Sequence, residues 1–175
     1  MILGLAQEVF ECRGSAVFEG TQSGRFQGNP QRKKVYLIGS LRNPDIAPLA
    51  IRLRTALPGV EIFDDWLCAG EHADDAWRDH EKNAGFTFLE ALERPAARHV
   101  FAFDKKHLEQ STAVVLIAPA GKSAHLELGW ALGKGKPGFI LVDDPERWDV
   151  MYQFATGVTD KEDVLVQWLA AEFGV

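Results

Sequence analysis

Cysteine is scarce in this sequence: of 175 residues only Cys12 and Cys68 carry a thiol. They form no CxxC pair, and no Cys/His cluster falls at metal-ligand spacing. That excludes a disulfide framework and a structural zinc site, and no metal or other cofactor is expected. The usage matches a reducing cytoplasm. Long apolar runs are missing as well. The opening Met1, Ile2, Leu3, Gly4, Leu5 and Ala6 is short, lacks a basic lead and is followed by Glu8 and Glu11, unlike a secretory signal. No later stretch approaches the length needed to cross a bilayer. Positive charge is also in deficit, with 19 Lys and Arg against 25 Asp and Glu and a formal net charge of -6. Nucleic acids and anionic membranes repel such a chain, so neither is an expected partner. The one tight basic run, Arg32, Lys33 and Lys34, reads as a solvated lead-in to a strand. Finally, there is no GxxxxGK[ST] loop, no GxGxxG opening a helix after the first strand, and no internal repeat.

What the chain does have is enough apolar content, 46% of its residues, to bury one sizeable core. Residues 14–30 are rich in Gly, Ser, Gln and Asn and poor in large apolar side chains, the pattern of a loop or arm. We therefore divide the chain into an extension over residues 1–32 and a domain over 33–175. The extension reads equally as a tail, a pair of added strands or an arm wrapping a neighbouring subunit.

Within the domain, Val35, Tyr36, Leu37 and Ile38 form a continuous apolar run closed by Gly39 and Ser40, as in a parallel strand buried on both faces. Pro44 then opens a helix with Ile46, Leu49, Ala50, Leu53 and Leu57 on one face, stopped by Pro58 and Gly59. Residues 60–63 are the second strand. Residues 71–110 read as helices, with Trp77, Glu81, Ala84, Phe88 and Leu92 at helical spacing, a break at Pro95, and Ala97, Val100, Phe101, Asp104 and Leu108 continuing an apolar stripe. Residues 113–118 are the clearest buried strand, followed by a helix from Ser123 to Lys134. Residues 138–142 give a fourth strand, 154–158 a short fifth, and 162–173 a closing helix. This alternation predicts an α/β fold, a single-domain flavodoxin- or Rossmann-like parallel sheet with helices on both faces.

In such sheets ligands gather beyond the carboxyl ends of the strands. Residues 39–43, residues 64–66, the loop 119–123 and Glu127 fall there. Glu127 sits in the first turn or so after Ser123, where the helix dipole favours an ionised, nucleophilic carboxylate of low pKa; the plain alternative is a surface Glu that offsets the dipole. Asp104 interrupts an apolar stripe. Burying even a neutral polar group costs on the order of 2–7 kcal/mol unless partners satisfy it, so Asp104 reads either as a chemical group or as a salt-bridging one. Tyr36 lies inside the first strand, in the core or beside the site. Ser40 and Arg42, with the backbone donors of that loop, suit an anion such as phosphate or carboxylate, although surface exposure is the default for Arg. His125 is set aside because neighbouring helix residues point about 100° apart, away from Glu127. Trp66 and Trp77 offer faces to a nucleobase or are simply core.

Residues 121–137, with a small residue at Ser123, then Glu127 and Gly129, then Gly135, Lys136 and Pro137 before a strand, resemble the signature of nucleoside 2-deoxyribosyltransferases and their relatives. Two further matches accompany it: Tyr36 followed by Gly39 and Ser40, and Asp104, Leu108 and Ser111 before the buried strand. The resemblance implies that Glu127 is the nucleophile, that Asp104 binds or protonates near the base, and that Tyr36 helps orient Glu127. The chemistry it implies parallels a retaining glycosidase, and the acceptor decides between transferase (a second base) and hydrolase (water). Many transferases place an Asp several residues before the catalytic Glu, where this chain has Pro119, Ala120, Gly121 and Lys122. The stretch Gly39, Ser40, Leu41 and Arg42 is instead similar to relatives that hydrolyse deoxynucleoside 5′-monophosphates.

The substrate-binding set implied is Gly39, Ser40, Arg42, Asp65 and Ser123, the last either at a phosphate or as a helix N-cap. The implied partner is a small-molecule nucleoside or nucleotide, and the implied assembly a homo-oligomer with a site shared across subunits. Two other functions stay open: a TIR-like NAD glycohydrolase, by fold analogy, and a non-catalytic nucleotide-sensing module.

Overall fold

Short apolar runs become strands here because both of their faces are covered. In the computed structural model, which describes residues 33–143 and 148–175, these are β1 (Lys34–Ile38), β2 (Glu61–Phe63), β3 (Ala113–Ile117), β4 (Gly138–Leu141) and β5 (Gly157–Thr159). All of them pair in parallel in the order β2-β1-β3-β4-β5. Between them run α1 (Ile46–Ala56), α2 (Ala73–Asn83), α3 (Phe88–Leu92), α4 (Pro95–Gln110), α5 (Lys122–Gly133) and α6 (Glu162–Phe173). Two 3₁₀ turns, Asp65–Ala69 and Val150–Phe154, complete the described elements. The expected flavodoxin-like α/β architecture is what the chain adopts. The proposed extension over residues 1–32, with Cys12 and Arg32, lies outside the described residues.

Strand side chains alternate between two cores. Val35, Leu37, Ile62, Val115, Ile117 and Phe139 face α1 and α6, where they meet Leu49, Leu53, Leu165 and Leu169. Tyr36, Ile38, Phe63, Val114, Leu116 and Ile140 face the opposite side, against Leu108 of α4 and Ala124, Leu128 and Ala131 of α5. Leu165 and Leu169 are 0% exposed, and burying each such side chain stabilises the fold by about 1.5–3 kcal/mol. The helices also have local stop signals. Lys136 donates its ammonium to the carbonyls of Glu109 and Ser111 at the end of α4, and Gly135 (φ 75°) ends α5 in the left-handed region. Much of the Gly-Lys-Pro motif is therefore accounted for by helix termination.

Several expectations are corrected. The apolar stripe across residues 77–108 does not lie on one buried face: Phe88, Val100 and Phe101 are exposed by 66%, 57% and 67%. The chain turns at Gly85 (φ 87°), and Thr87 with Glu90 forms a capping box that starts α3. Pro95 opens α4 at its first turn, where a missing N–H is harmless. The fifth strand begins at Gly157, because Phe154 belongs to the 3₁₀ turn and is exposed. Ser123 is not the N-cap of α5; Gly121 occupies that position and Ser123 lies in the first turn, exposed.

Candidate active site

The strand order reverses direction between β1 and β3, so the connections leaving them diverge, and the space beyond their carboxyl ends is where such sheets form a ligand crevice. Beside that crevice three ionisable groups converge from three elements. Tyr36 projects from β1 on the side of α4 and α5, only 1% exposed. Asp104 is on α4, one turn before buried Leu108, and Glu127 is on α5 beside buried Leu128. The two helices pack on each other and on β1.

Burial makes each charge costly, and Glu127 and Tyr36 also feel their charged neighbours. Burial raises Asp104 to about 6. Glu127 is pushed up to about 8, first by burial and then by the charge of Asp104. The Tyr36 hydroxyl is held far above its ordinary range by burial, then by Glu127, then by Asp104. The low pKa expected for Glu127 from the helix dipole is thus overturned. Glu127 is the sixth residue of α5, past the first turn where the dipole acts, and loss of water outweighs what remains. Among the described residues no hydrogen bond or ion pair engages Asp104, Glu127 or the Tyr36 hydroxyl, which leaves all three available to a polar ligand.

The loops around the crevice are built tightly. A Cβ on Gly39 would collide with Cδ1 of Ile46, so the loop after β1 lies close against α1. Ser40 Oγ accepts from the Arg42 backbone N–H at 3.2 Å. Asn43, 5% exposed, was not singled out from sequence, yet it joins the two loops of the crevice. Its Nδ2 donates to the Ala118 carbonyl at 3.2 Å and its Oδ1 accepts from the Asp45 N–H at 3.0 Å. The Asn-Pro pair at positions 43 and 44 was a turn signal that pointed to it.

The remaining candidates spread outward. The Arg42 guanidinium is gripped by Asp74 and Asp75 of α2. Asp65 is exposed in its 3₁₀ turn, whereas its neighbour Asp64 pairs with Arg54. Trp66 donates Nε1 to the Leu37 carbonyl at 2.8 Å, which fixes its ring against the core. Trp77 carries a buried Nε1 without a partner among the described residues. His125 donates Nδ1 to the Gly121 carbonyl (2.7 Å), leaving Nε2 to accept from the Tyr152 hydroxyl at 3.1 Å. That contact ties α5 to the 3₁₀ turn Val150–Phe154.

Chemically, two neighbouring carboxyls with raised pKa values hold one proton between them across neutral pH. One carboxylate can attack while its neighbour delivers a proton, the division of labour that acid-assisted displacement requires. Among the described residues no group of three or more His, Cys, Asp or Glu side chains is placed to hold a metal ion. No described helix is long and apolar enough to cross a membrane.

No family model matches the chain, and no curated protein matches it in sequence. Solved structures do. A conserved protein from Enterococcus faecalis V583 aligns over 79% of this chain and 98% of its own, with 14% identity and a TM-score of 0.54. The 2-deoxyribosyltransferase of the psychrotolerant bacterium Bacillus psychrosaccharolyticus aligns over 76% of this chain and 90% of its own, with 16% identity and a TM-score of 0.50. A CMP N-glycosidase from Clostridium botulinum aligns over 78% and 98%, with 15% identity and a TM-score of 0.46. The chain therefore shares the fold of a 2-deoxyribosyltransferase over nearly the whole of that protein.

Proposed function

We propose that this chain is an enzyme that cleaves or transfers the N-glycosidic bond of a deoxynucleoside or deoxynucleoside monophosphate, with Glu127 as nucleophile. The observation that carries this reading is the pairing of Glu127 and Asp104 beside Tyr36, three groups from three elements whose pKa values are all raised by burial, Glu127 further by the charge of Asp104 and Tyr36 further by both carboxylates. The shared fold of a 2-deoxyribosyltransferase supports it.

With Glu127 at about 8 and Asp104 at about 6, the single proton of the pair rests mainly on Glu127 in the empty site; the reactive form is the tautomer in which that proton has passed to Asp104. A Glu127 oxygen attacks C1′, the C1′–N bond breaks through an oxocarbenium-like transition state, and its electron pair passes to the base, which takes the proton of Asp104. The glycosyl ester on Glu127 is then attacked at C1′ by a second base or by water, whose proton Asp104 takes as the C1′–O bond to Glu127 breaks, which frees the carboxylate and restores the acid. Tyr36 remains a neutral hydroxyl throughout and orients Glu127 without adding charge. Gly39, Ser40, Asp65 and Ser123 would line the sugar side of the crevice.

The reading includes a soluble cytoplasmic protein whose partner is the small molecule and neither nucleic acid nor membrane, supported by the acidic net charge. It also includes a homo-oligomer. Phe88, Leu89, Val100 and Phe101, all more than half exposed on α3 and the first half of α4, supply apolar surface for a second copy; light scattering at micromolar concentration reads the mass.

Chromatographic detection of free base tests the activity. Wild type and Glu127→Ala are incubated with deoxynucleosides, their monophosphates and NAD, with and without an acceptor base. Release by wild type alone, with deoxynucleosides or their monophosphates preferred, supports the reading. NAD as the preferred substrate favours the TIR-like alternative. Silence on every substrate favours a nucleotide-sensing module.

A further inference from the structure

We propose that Asp74 and Asp75 fix the charge of the substrate: by holding Arg42 they reserve the crevice for uncharged nucleosides and turn away 5′-phosphates. This inference rests on the reading of the site given above and makes it narrower. Arg42 is the first cation after the carboxyl end of β1, on the loop beside the crevice, where a guanidinium would meet a phosphate. Its fork is already filled. Nη1 donates to Asp74 Oδ2 at 3.0 Å, and Nη2 donates to Asp74 Oδ1 and to Asp75 Oδ2, each at 2.7 Å. A phosphate needs that same bidentate edge.

The surroundings reinforce the exclusion. Asp75 also receives Arg78 at 2.6 Å, and Arg78 meets Asp79 at 2.9 Å. Two guanidiniums thus face three carboxylates, and an incoming dianion meets net negative ground. Single exposed ion pairs are weak, but a bidentate arginine with two carboxylates is a network, the arrangement in which exposed pairs hold. The Ser40 hydroxyl oxygen is turned to the Arg42 backbone N–H, and the Asn43 side chain is held by Ala118 and Asp45. The sequence alone offered Arg42 as an anion binder because nothing marked two aspartates more than thirty positions away as its partners.

The test compares wild type, Asp74→Asn/Asp75→Asn, and that pair combined with Arg42→Ala. Two quantities are read: the ratio of kcat/KM for a deoxynucleoside 5′-monophosphate over its nucleoside, and binding of inorganic phosphate by calorimetry. The expected result is a wild type that prefers the nucleoside and binds no phosphate. In the double variant the ratio should rise about tenfold or more, with nucleoside turnover within about twofold of wild type and phosphate binding that Arg42→Ala abolishes. A wild type that prefers monophosphates overturns the inference, as does a double variant that changes neither the ratio nor phosphate binding. If no form releases base, the catalytic reading fails while phosphate binding still decides the role of the aspartates. Should the double variant melt early, Asp74→Asn alone removes the bidentate partner and carries the same test.

Discussion

Replacing Asp104 by Asn removes one charge and leaves the shape of the site almost unchanged, so its consequences follow from the two causes acting on Glu127. Glu127 rises from 4.5 to about 8, which at about 1.4 kcal/mol per pKa unit is about 5 kcal/mol opposing its ionisation. Burial is the larger cause and the Asp104 charge the smaller. The variant therefore relieves less than half of that, and Glu127 should ionise on the order of one pH unit lower while staying above an ordinary carboxyl. In wild type the productive form carries one proton on the pair, so kcat/KM should rise through pH about 6 and fall through pH about 8. In Asp104→Asn only Glu127 titrates. The rate should rise to a plateau with no alkaline fall, at a level about 10²–10⁴ below wild type because the base leaves without its proton donor. The assay is base release from pH 5 to 9.5, paired with ¹³C NMR titration of the Glu127 carboxyl. A variant that keeps its fall near pH 8, or a Glu127 titration that does not move down, refutes the coupling.

Other expectations follow from the same geometry. The folded-state pKa of Glu127 lies above its unfolded value, so its contribution is fully present below pH about 4.5 and is lost as pH rises through about 8. Glu127→Gln should then melt above wild type at pH 8.5 and level with it at pH 4, and equal melting at both pH values would contradict the burial argument. Asn43→Ala deletes two hydrogen bonds, one joining the crevice loops and one within its own loop, and should cost about 1–3 kcal/mol in denaturant unfolding together with a raised KM. Leu169→Ala, at a position with 0% exposure on α6, should cost about 2–5 kcal/mol without moving the pH profile.

The fold was legible where burial on both faces leaves uninterrupted apolar runs, as in β3, and where an apolar period ends at a glycine, as α6 does at Gly174. It was illegible over residues 77–101, because apolar spacing says which residues share a helix face but not whether anything covers that face. Phe88 and Phe101 keep the spacing and stay exposed. The site was legible through burial too: a carboxylate on the α4 stripe marked Asp104 before its surroundings were known. The direction of the Glu127 pKa was misread, since helix position is local while desolvation comes from α4 and β1, far away in sequence. The Ala118 partner of Asn43 and the aspartate partners of Arg42 were hidden for the same reason.

The most direct test of the central claim is to trap the covalent intermediate. Wild type is mixed with a deoxynucleoside, quenched in acid within the first turnovers, and examined by intact-mass spectrometry and peptide mapping. The account predicts a mass increase of one deoxyribosyl group, carried as an ester on the peptide containing Glu127 and absent from Glu127→Gln. Base release without any adduct, or an adduct on another residue that persists in Glu127→Gln, would contradict it.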